Sequence, residues 1–394
     1  MRFEPRSEDE AAALLRDLVR APSPLRIEGG GTRTTIGRPI QTAATLSTRA
    51  LAGVSLYEPA EMVVSVRTGT PVAELEALLA GKGQMLPFEP PDFRALLGSA
   101  GEPTVGGVVA GNLSGPRRIQ AGACRDSLIG LRFVNGRGEL LRAGGRVMKN
   151  VTGLDLVKLL CGSWGTLALL LEATFKVLPR PEASLTLCFA GLSDDEAVAL
   201  MCAAMGTPFP PSAAAHLPAG AGGARARTLL RLEGFRDSVR YRAERLAASL
   251  AGHGAAERIE GQESAELWRA VRDVRPLVEP RERAIWRLSL PPRRGAETVA
   301  RIRAERSCAV LYDWAGGLVW LATEERDDAG AAPIRAAAAA AGGHAMLVRA
   351  SPELRARVPP FHPPSARVRA LEAGIKKAFD PAGIFNPGLR EAGI

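Results

Sequence analysis

No stretch of the 394-residue chain approaches the ~20 consecutive apolar residues of a membrane-spanning helix, and the opening MRFEPRSEDEAAALL has neither the apolar centre nor the cleavage site of a secretory signal. A cytoplasmic protein is the expectation. The five cysteines, Cys124, Cys161, Cys188, Cys202 and Cys308, follow no CxxC spacing and are odd in number, which fits reduced thiols and indicates neither zinc nor an iron–sulfur cluster. No metal is therefore expected. Lysine is confined to positions 82, 149, 158, 176, 376 and 377, so the net charge of +9 rests on arginines dispersed among acids. Dispersed charge without an aromatic-rich basic surface argues against nucleic acid as a partner.

What the chain does have is a 46% hydrophobic content, enough for a substantial core, and a length that favours two domains. Ser7 and Glu10 form a capping-box pattern ahead of Leu14, Leu15, Leu18 and Val19 on one helical face. The strand LRIEG runs straight into Gly29-Gly30-Gly31-Thr32, and the strand MVVSVRTG is followed by a helix with Pro71 at its start and Gly81 at its exit. Asn135-Gly136 between two apolar runs predicts a hairpin, and Thr152 with Asp155 can cap the helix that carries Leu156, Leu159 and Leu160. Pro179 and Pro181 then break the chain, which sets the expected boundary of a first domain at residues 1–182.

Residues 183–355 change to an α+β rhythm without glycine loops, and Ala284 to Arg349 scans as βαββαβ, the split unit of a ferredoxin-like domain with an antiparallel sheet. A final segment, 356–394, begins with a helix from Ser365 whose Val368, Leu371, Ile375 and Phe379 share a face. Trp268, Trp286, Trp314 and Trp320 all lie in or near apolar elements and read as core.

Glycine is concentrated in three places. GGGT at 29–32 presents successive amides with no Cβ in the way, a concavity suited to a diphosphate, yet it lacks the helix start and the acid of a Rossmann fingerprint, and no P-loop lysine follows. GEPTVGGVVAGNLSGPRRIQAGACRD, 101–126, and GSWGTL, 162–167, are the second and third. Three glycine-rich passes beside strands match an extended dinucleotide; three tight turns would account for the same residues.

The segments IEGGGTRTTIG, LPFEPPDF, PTVGGVVAGNLSG, AGACRDSLIGLRFVNGRGELL and AFDPAGIFNPG occur in an order that resembles the vanillyl-alcohol-oxidase type of FAD-linked oxidoreductases. LSGPRR and GGRVMKNVTGLDLVKLL are most similar to the FAD-binding subunits of bacterial glycolate oxidases. The resemblance implies an α+β fold: a two-subdomain FAD-binding domain of that type, a ferredoxin-like second domain, and a tail that returns to the first. It implies that Gly29, Gly30, Gly31 and Thr32 hold the pyrophosphate, that Pro90, Thr104, Gly106 and Gly107 line the cofactor, that Gly111, Asn112, Ser114 and Gly115 approach the flavin, and that Gly165 and the main chain at Leu169 face its pyrimidine edge. Glu28 stands where relatives carry arginine, and Ala168 replaces a glycine. No histidine precedes residue 216, which excludes a histidyl link to flavin in this domain, and buried thiols at Cys124 and Cys161 make dissociable, non-covalent FAD the expectation.

By the same resemblance the partners are a larger paralogous flavoprotein subunit and an iron–sulfur subunit, with a small 2-hydroxy acid as substrate. Any membrane association is peripheral, at the inner face and through those partners. Oxidation of such an acid calls for a cation for the carboxylate, a base for the hydroxyl and a hydride acceptor. Arg117, Arg118, His362 and Asn386 are the candidates, Arg125-Asp126 reads as a local pair, and Lys149-Asn150 as a helix entry. His216 and His253 sit in Ala/Gly-rich stretches expected to be solvated, and His344 begins a strand.

Overall fold

The computed structural model describes residues 1–145, 153–221 and 223–390, so Lys149, Asn150 and Thr152 lie outside the described residues. Strands β1 (Arg2–Phe3), β2 (Leu25–Glu28) and β3 (Ala44–Ser47) form a small parallel sheet in the order β1-β3-β2. The helix Glu8–Arg20 between the first two buries Ala11, Ala12 and Leu15, and Ser7 caps it by accepting from the Glu10 amide.

A second sheet of five antiparallel strands follows in the order β4-β5-β9-β7-β8, built from β4 (Val54–Glu58), β5 (Val63–Arg67), β7 (Leu128–Asn135), β8 (Leu140–Gly144) and β9 (Ala168–Lys176). The expected hairpin is β7–β8, with Asn135 Oδ1 accepting from the amides of Arg137 and Glu139 inside the turn. Two short strands, β6 (Gln84–Met85) and β10 (Leu178–Pro179), pair beside it. Asp155 alone supplies the described cap of the helix Leu156–Leu160, accepting from the Lys158 amide.

The remaining strands form one eight-stranded antiparallel sheet: β11 (Ala183–Ala190), β12 (Ala213–Leu217), β13 (Arg227–Gly234), β14 (Ala256–Glu260), β15 (Ala284–Ser289), β16 (Cys308–Asp313), β17 (Leu318–Thr323) and β18 (His344–Arg349). Its order, β14-β11-β13-β12-β16-β17-β15-β18, contains two split βαββαβ units with the same strand order, joined edge to edge through β12 and β16. Sequence reading found the second unit and missed the first, because AAAHL has none of the β-branched or aromatic residues that mark a strand. Ala213, Ala214 and Ala215 are wholly buried, and burial between two neighbours is what makes them one.

His216 corrects the expectation of a solvated side chain. It sits in the seam opposite Tyr312, with Nδ1 2.9 Å from Thr228 Oγ1 and Nε2 3.4 Å from Asp194 Oδ1. Asp194 also accepts from Tyr312 Oη at 2.7 Å and from Arg303 at 2.6 Å, so a polar knot fastens the two units together.

One face of this sheet is covered by its helices around Trp286, Leu321 and Leu347. The other turns toward the glycine-rich segment and packs Trp268, Trp314 and Trp320 against Phe93 and Leu96, so all four tryptophans expected in the core are buried. The C-terminal segment comes back to β2: the Leu25 amide donates to the Ile384 carbonyl and the Asn386 amide to the Leu25 carbonyl. In the helix Ala366–Phe379, Ile375 and Phe379 pack on the five-stranded layer, whereas Val368 and Leu371 are exposed.

Candidate functional site: a dinucleotide cleft

The end of β2 opens into a cleft. Gly29, Gly30, Gly31, Thr32, Thr104, Gly106, Gly107 and Gly165 line it, together with Thr48, Thr68, Trp164 and Leu170. The amides of Gly29 through Arg33 find no acceptor among the described residues, so five successive donors stand at the carboxyl end of a parallel strand.

Two of the glycines also meet a packing need. A Cβ on Gly29 would lie 2.1 Å from Thr104 Oγ1, and one on Gly30 would lie 1.7 Å from the Glu102 carbonyl oxygen. These two residues let the first glycine loop pack on the second, which sets the width of the cleft.

Arg33, which sequence reading passed over, is a buried cation of the site. Its side chain reaches into the cleft beside Gly107, donates from Nη2 to the Pro91 carbonyl at 3.1 Å, and leaves Nε buried with no partner. Burial pushes its pKa down to about 10, with Asp92 opposing the shift. Arg33 pairs with no carboxylate among the described residues and, beside five free amides, suits a diphosphate; Arg26 and Glu28 also line the cleft.

At the other end, Asn386 clamps the walls rather than offering itself to a ligand. Its Oδ1 accepts from the Ile27 amide at 2.8 Å and its Nδ2 donates to the Trp164 carbonyl at 2.9 Å, with φ at +42°. Lys376 reinforces this closure through the Thr166 and Phe385 carbonyls and the buried Asp380 carboxylate.

Pro90, Gly111, Asn112, Ser114, Gly115 and Leu169 are not among the residues that line the cleft. Asn112 Oδ1 accepts from the Arg125 amide and Ser114 Oγ from the Cys124 amide, so both side chains serve the loop itself; the Leu169 side chain is buried in a separate core, which leaves the expectation for its main chain as it stood. Arg125 and Asp126 do form an exposed pair at 3.8 Å. Cys124 and Cys161 are buried free thiols, and burial raises the Cys124 pKa far above its ordinary value.

Arg117 and Arg118 have opposite surroundings. Arg117 is buried, held at 2.7 Å by Glu233, and its amide donates to Glu89; it is a structural group, which corrects its candidacy for binding substrate. Glu89, Arg231 and Glu233 complete the ladder, with Arg231 bidentate on Glu89 at 2.9 and 2.8 Å. Burial alone would raise the Glu89 pKa, but Arg231 and Arg117 outweigh it and hold the carboxyl below its ordinary range. Arg118, by contrast, lies over the ring of Trp314, and burial lowers its pKa. His362 accepts from the Ala345 amide at 3.4 Å and faces His344 with ring centroids 6.3 Å apart; burial lowers the pKa of both.

Comparison with known proteins matches residues 1–144 to a family described as FAD binding domain. The chain is 36% identical over 383 residues to glycolate oxidase subunit GlcE of Escherichia coli (strain K12), covering 96% of this chain and 97% of that protein. Glycolate oxidase subunit GlcD of Bacillus subtilis (strain 168) is 31% identical over 184 residues, 46% of this chain and 38% of its own. Among solved structures, 4-ethylphenol oxidase from Gulosibacter chungangensis superposes with a TM-score of 0.74 at 15% identity, covering 99% of this chain and 88% of that one. An alkyldihydroxyacetonephosphate synthase superposes with a TM-score of 0.71 at 16% identity, covering 98% and 75%. The unpartnered amides and the shielded Arg33 fit the cofactor these comparisons name, and the chain belongs to the FAD-linked oxidoreductases of the glycolate oxidase subunit GlcE family, with FAD as its cofactor.

Proposed function

We propose that this chain is the smaller flavoprotein subunit of a complex that oxidises a glycolate-type 2-hydroxy acid to the 2-oxo acid. The observation that carries the reading is the near end-to-end match to a protein named as a glycolate oxidase subunit, combined with a cleft whose free donors suit a dinucleotide. When bound, FAD supplies hydride acceptance. The chain's own part is to hold the diphosphate with the amides of Gly29 to Arg33 and the Arg33 guanidinium, and to fix the far wall through Asn386. Attachment is non-covalent, which the buried Cys124 and Cys161 support. The five cysteines are free thiols and form no cluster-binding set, so electrons leave through a partner, namely a larger paralogous flavoprotein and an iron–sulfur subunit, or through a diffusible acceptor. No helix among the described residues is long and apolar enough to cross a membrane, in keeping with peripheral attachment through those partners.

Co-expression tests the assignment to a complex: glycolate-dependent dye reduction is expected with the neighbouring subunits, and full activity of the isolated chain would contradict it. The diphosphate role is tested by Arg33→Gln. Loss of a charge-assisted bond of about 1.5–3 kcal/mol predicts FAD binding weaker by roughly tenfold or more, with binding of riboflavin, which has no diphosphate, unchanged. Equal losses for both ligands in equilibrium titrations would remove Arg33 from the diphosphate.

A further inference from the structure

Arg118 and Arg287 both lie over the indole of Trp314, with guanidinium carbons 4.2 and 5.2 Å from the ring centroid. Both side chains are half-buried, and neither donates a hydrogen bond to, or pairs with, any carboxylate among the described residues. Other shielded arginines on the same interface are matched: Arg117 by Glu233, Arg231 by Glu89, Arg272 by Asp273. Asp126 acts on Arg118 and Asp313 on Arg287, neither in an ion pair; Asp313 uses Oδ1 to accept from the Trp314 amide at 2.7 Å, and burial pushes its pKa up to about 7. Two shielded like charges repel each other, and an anion between them would relieve both.

The platform itself is strained. Trp314 and Ala315 have φ of +52° and +56°, the left-handed region that side chains of this size rarely adopt. The indole Nε1–H donates to the Gly115 carbonyl at 3.0 Å, which ties the ring to the second glycine loop. A chain of contacts also links the cleft wall to the platform. Trp164, on the cleft wall, packs edge-on against Phe361 at 5.6 Å; the next residue, His362, faces His344, and His344 pairs in register with Ser289, two residues along β15 from Arg287.

We infer that Arg118 and Arg287 form a binding site for the carboxylate of a small organic acid, with Trp314 as the plate that fixes the two guanidiniums. The inference rests on the FAD reading above, since the acid would then lie at the flavin end of the cleft. Both arginines are positioning residues for the substrate.

The test titrates FAD-loaded protein with oxalate, a small acid that cannot be oxidised at a hydroxyl-bearing carbon, at constant ionic strength. Flavin difference spectra and melting temperature are read together, and flavin content is measured on each sample. Saturable binding is expected in the wild type, weakened at least tenfold by Arg287→Gln and by Arg118→Gln, with partial recovery in Arg287→Lys and unchanged flavin content. Arg118→Gln removes no internal partner other than Trp314, so it serves as the second variant should Arg287→Gln fail to fold. Oxalate affinity equal in the wild type and the folded Gln variants would overturn the site, as would an equal response to inorganic phosphate. Absence of flavin would instead defeat the FAD reading, and the melting titration of flavin-free protein still tests the arginines.

Discussion

Gly30→Ala is expected to purify with less than a tenth of the wild-type flavin and to recover little on addition of FAD. The added Cβ would lie 1.7 Å from the Glu102 carbonyl oxygen and 2.8 Å from its carbon, and both are backbone atoms that cannot rotate aside. The Gly29–Arg33 loop and the Glu102–Thr104 segment must separate, which displaces the unpartnered amides from their present positions. Gly31→Ala is the informative control. Its φ of +76° makes alanine strained, at about 1–2 kcal/mol, but nothing lies within 4 Å of the new carbon. Gly31→Ala should therefore keep a measurable, weaker flavin affinity. Equal flavin retention in Gly30→Ala and the wild type would show that the two loops do not set the cleft.

The second large effect concerns the ladder between the glycine-rich segment and the eight-stranded sheet. Arg231→Met strips the partner from Glu89 and Glu233, which are shielded and hydrogen-bonded to little else that is charged except Arg117. Leaving buried charge uncompensated costs about 3–5 kcal/mol, a fall in melting temperature on the order of 10 °C. The loss should exceed that from Arg303→Met, whose pairing with Asp194 is half-exposed and backed by Tyr312 and His216. Thermal unfolding of the two variants side by side checks the order. An Arg231→Met protein as stable as the wild type would mean that the ladder contributes nothing to holding the two parts together.

How far the sequence disclosed the site can be read residue by residue. The three glycine-rich passes were legible as candidates, though tight turns would have left the same trace, and they do meet at one cleft. The reason for Gly29 and Gly30 was hidden, because a close approach between two loops looks in sequence the same as room for a ligand. Arg33 was invisible for a related reason: one arginine among many acquires meaning only once burial strips it of a counter-charge. Arg117 and Arg118 are adjacent, so sequence could not separate them, whereas the short turn of helix Arg118–Ala121 sends one to Glu233 and the other to Trp314. Arg287 was missed outright as one polar position in an ordinary strand.

The same contrast holds in the second sheet. Periodicity marked β15 to β18, whose strands carry Trp, Ile, Val and Leu, and it failed for the alanine-rich β12 at the seam. His216 was misjudged with it, since its role depends on Tyr312 and Asp194, both distant in sequence.

The most direct test of the whole account is the flavin content of the purified chain, measured by absorption before and after acid precipitation. A yellow protein that releases about one FAD per chain into the supernatant, and whose flavin-free form takes FAD up again, is the predicted result. A colourless chain that fails to bind added FAD, or flavin that stays with the precipitate, would contradict it.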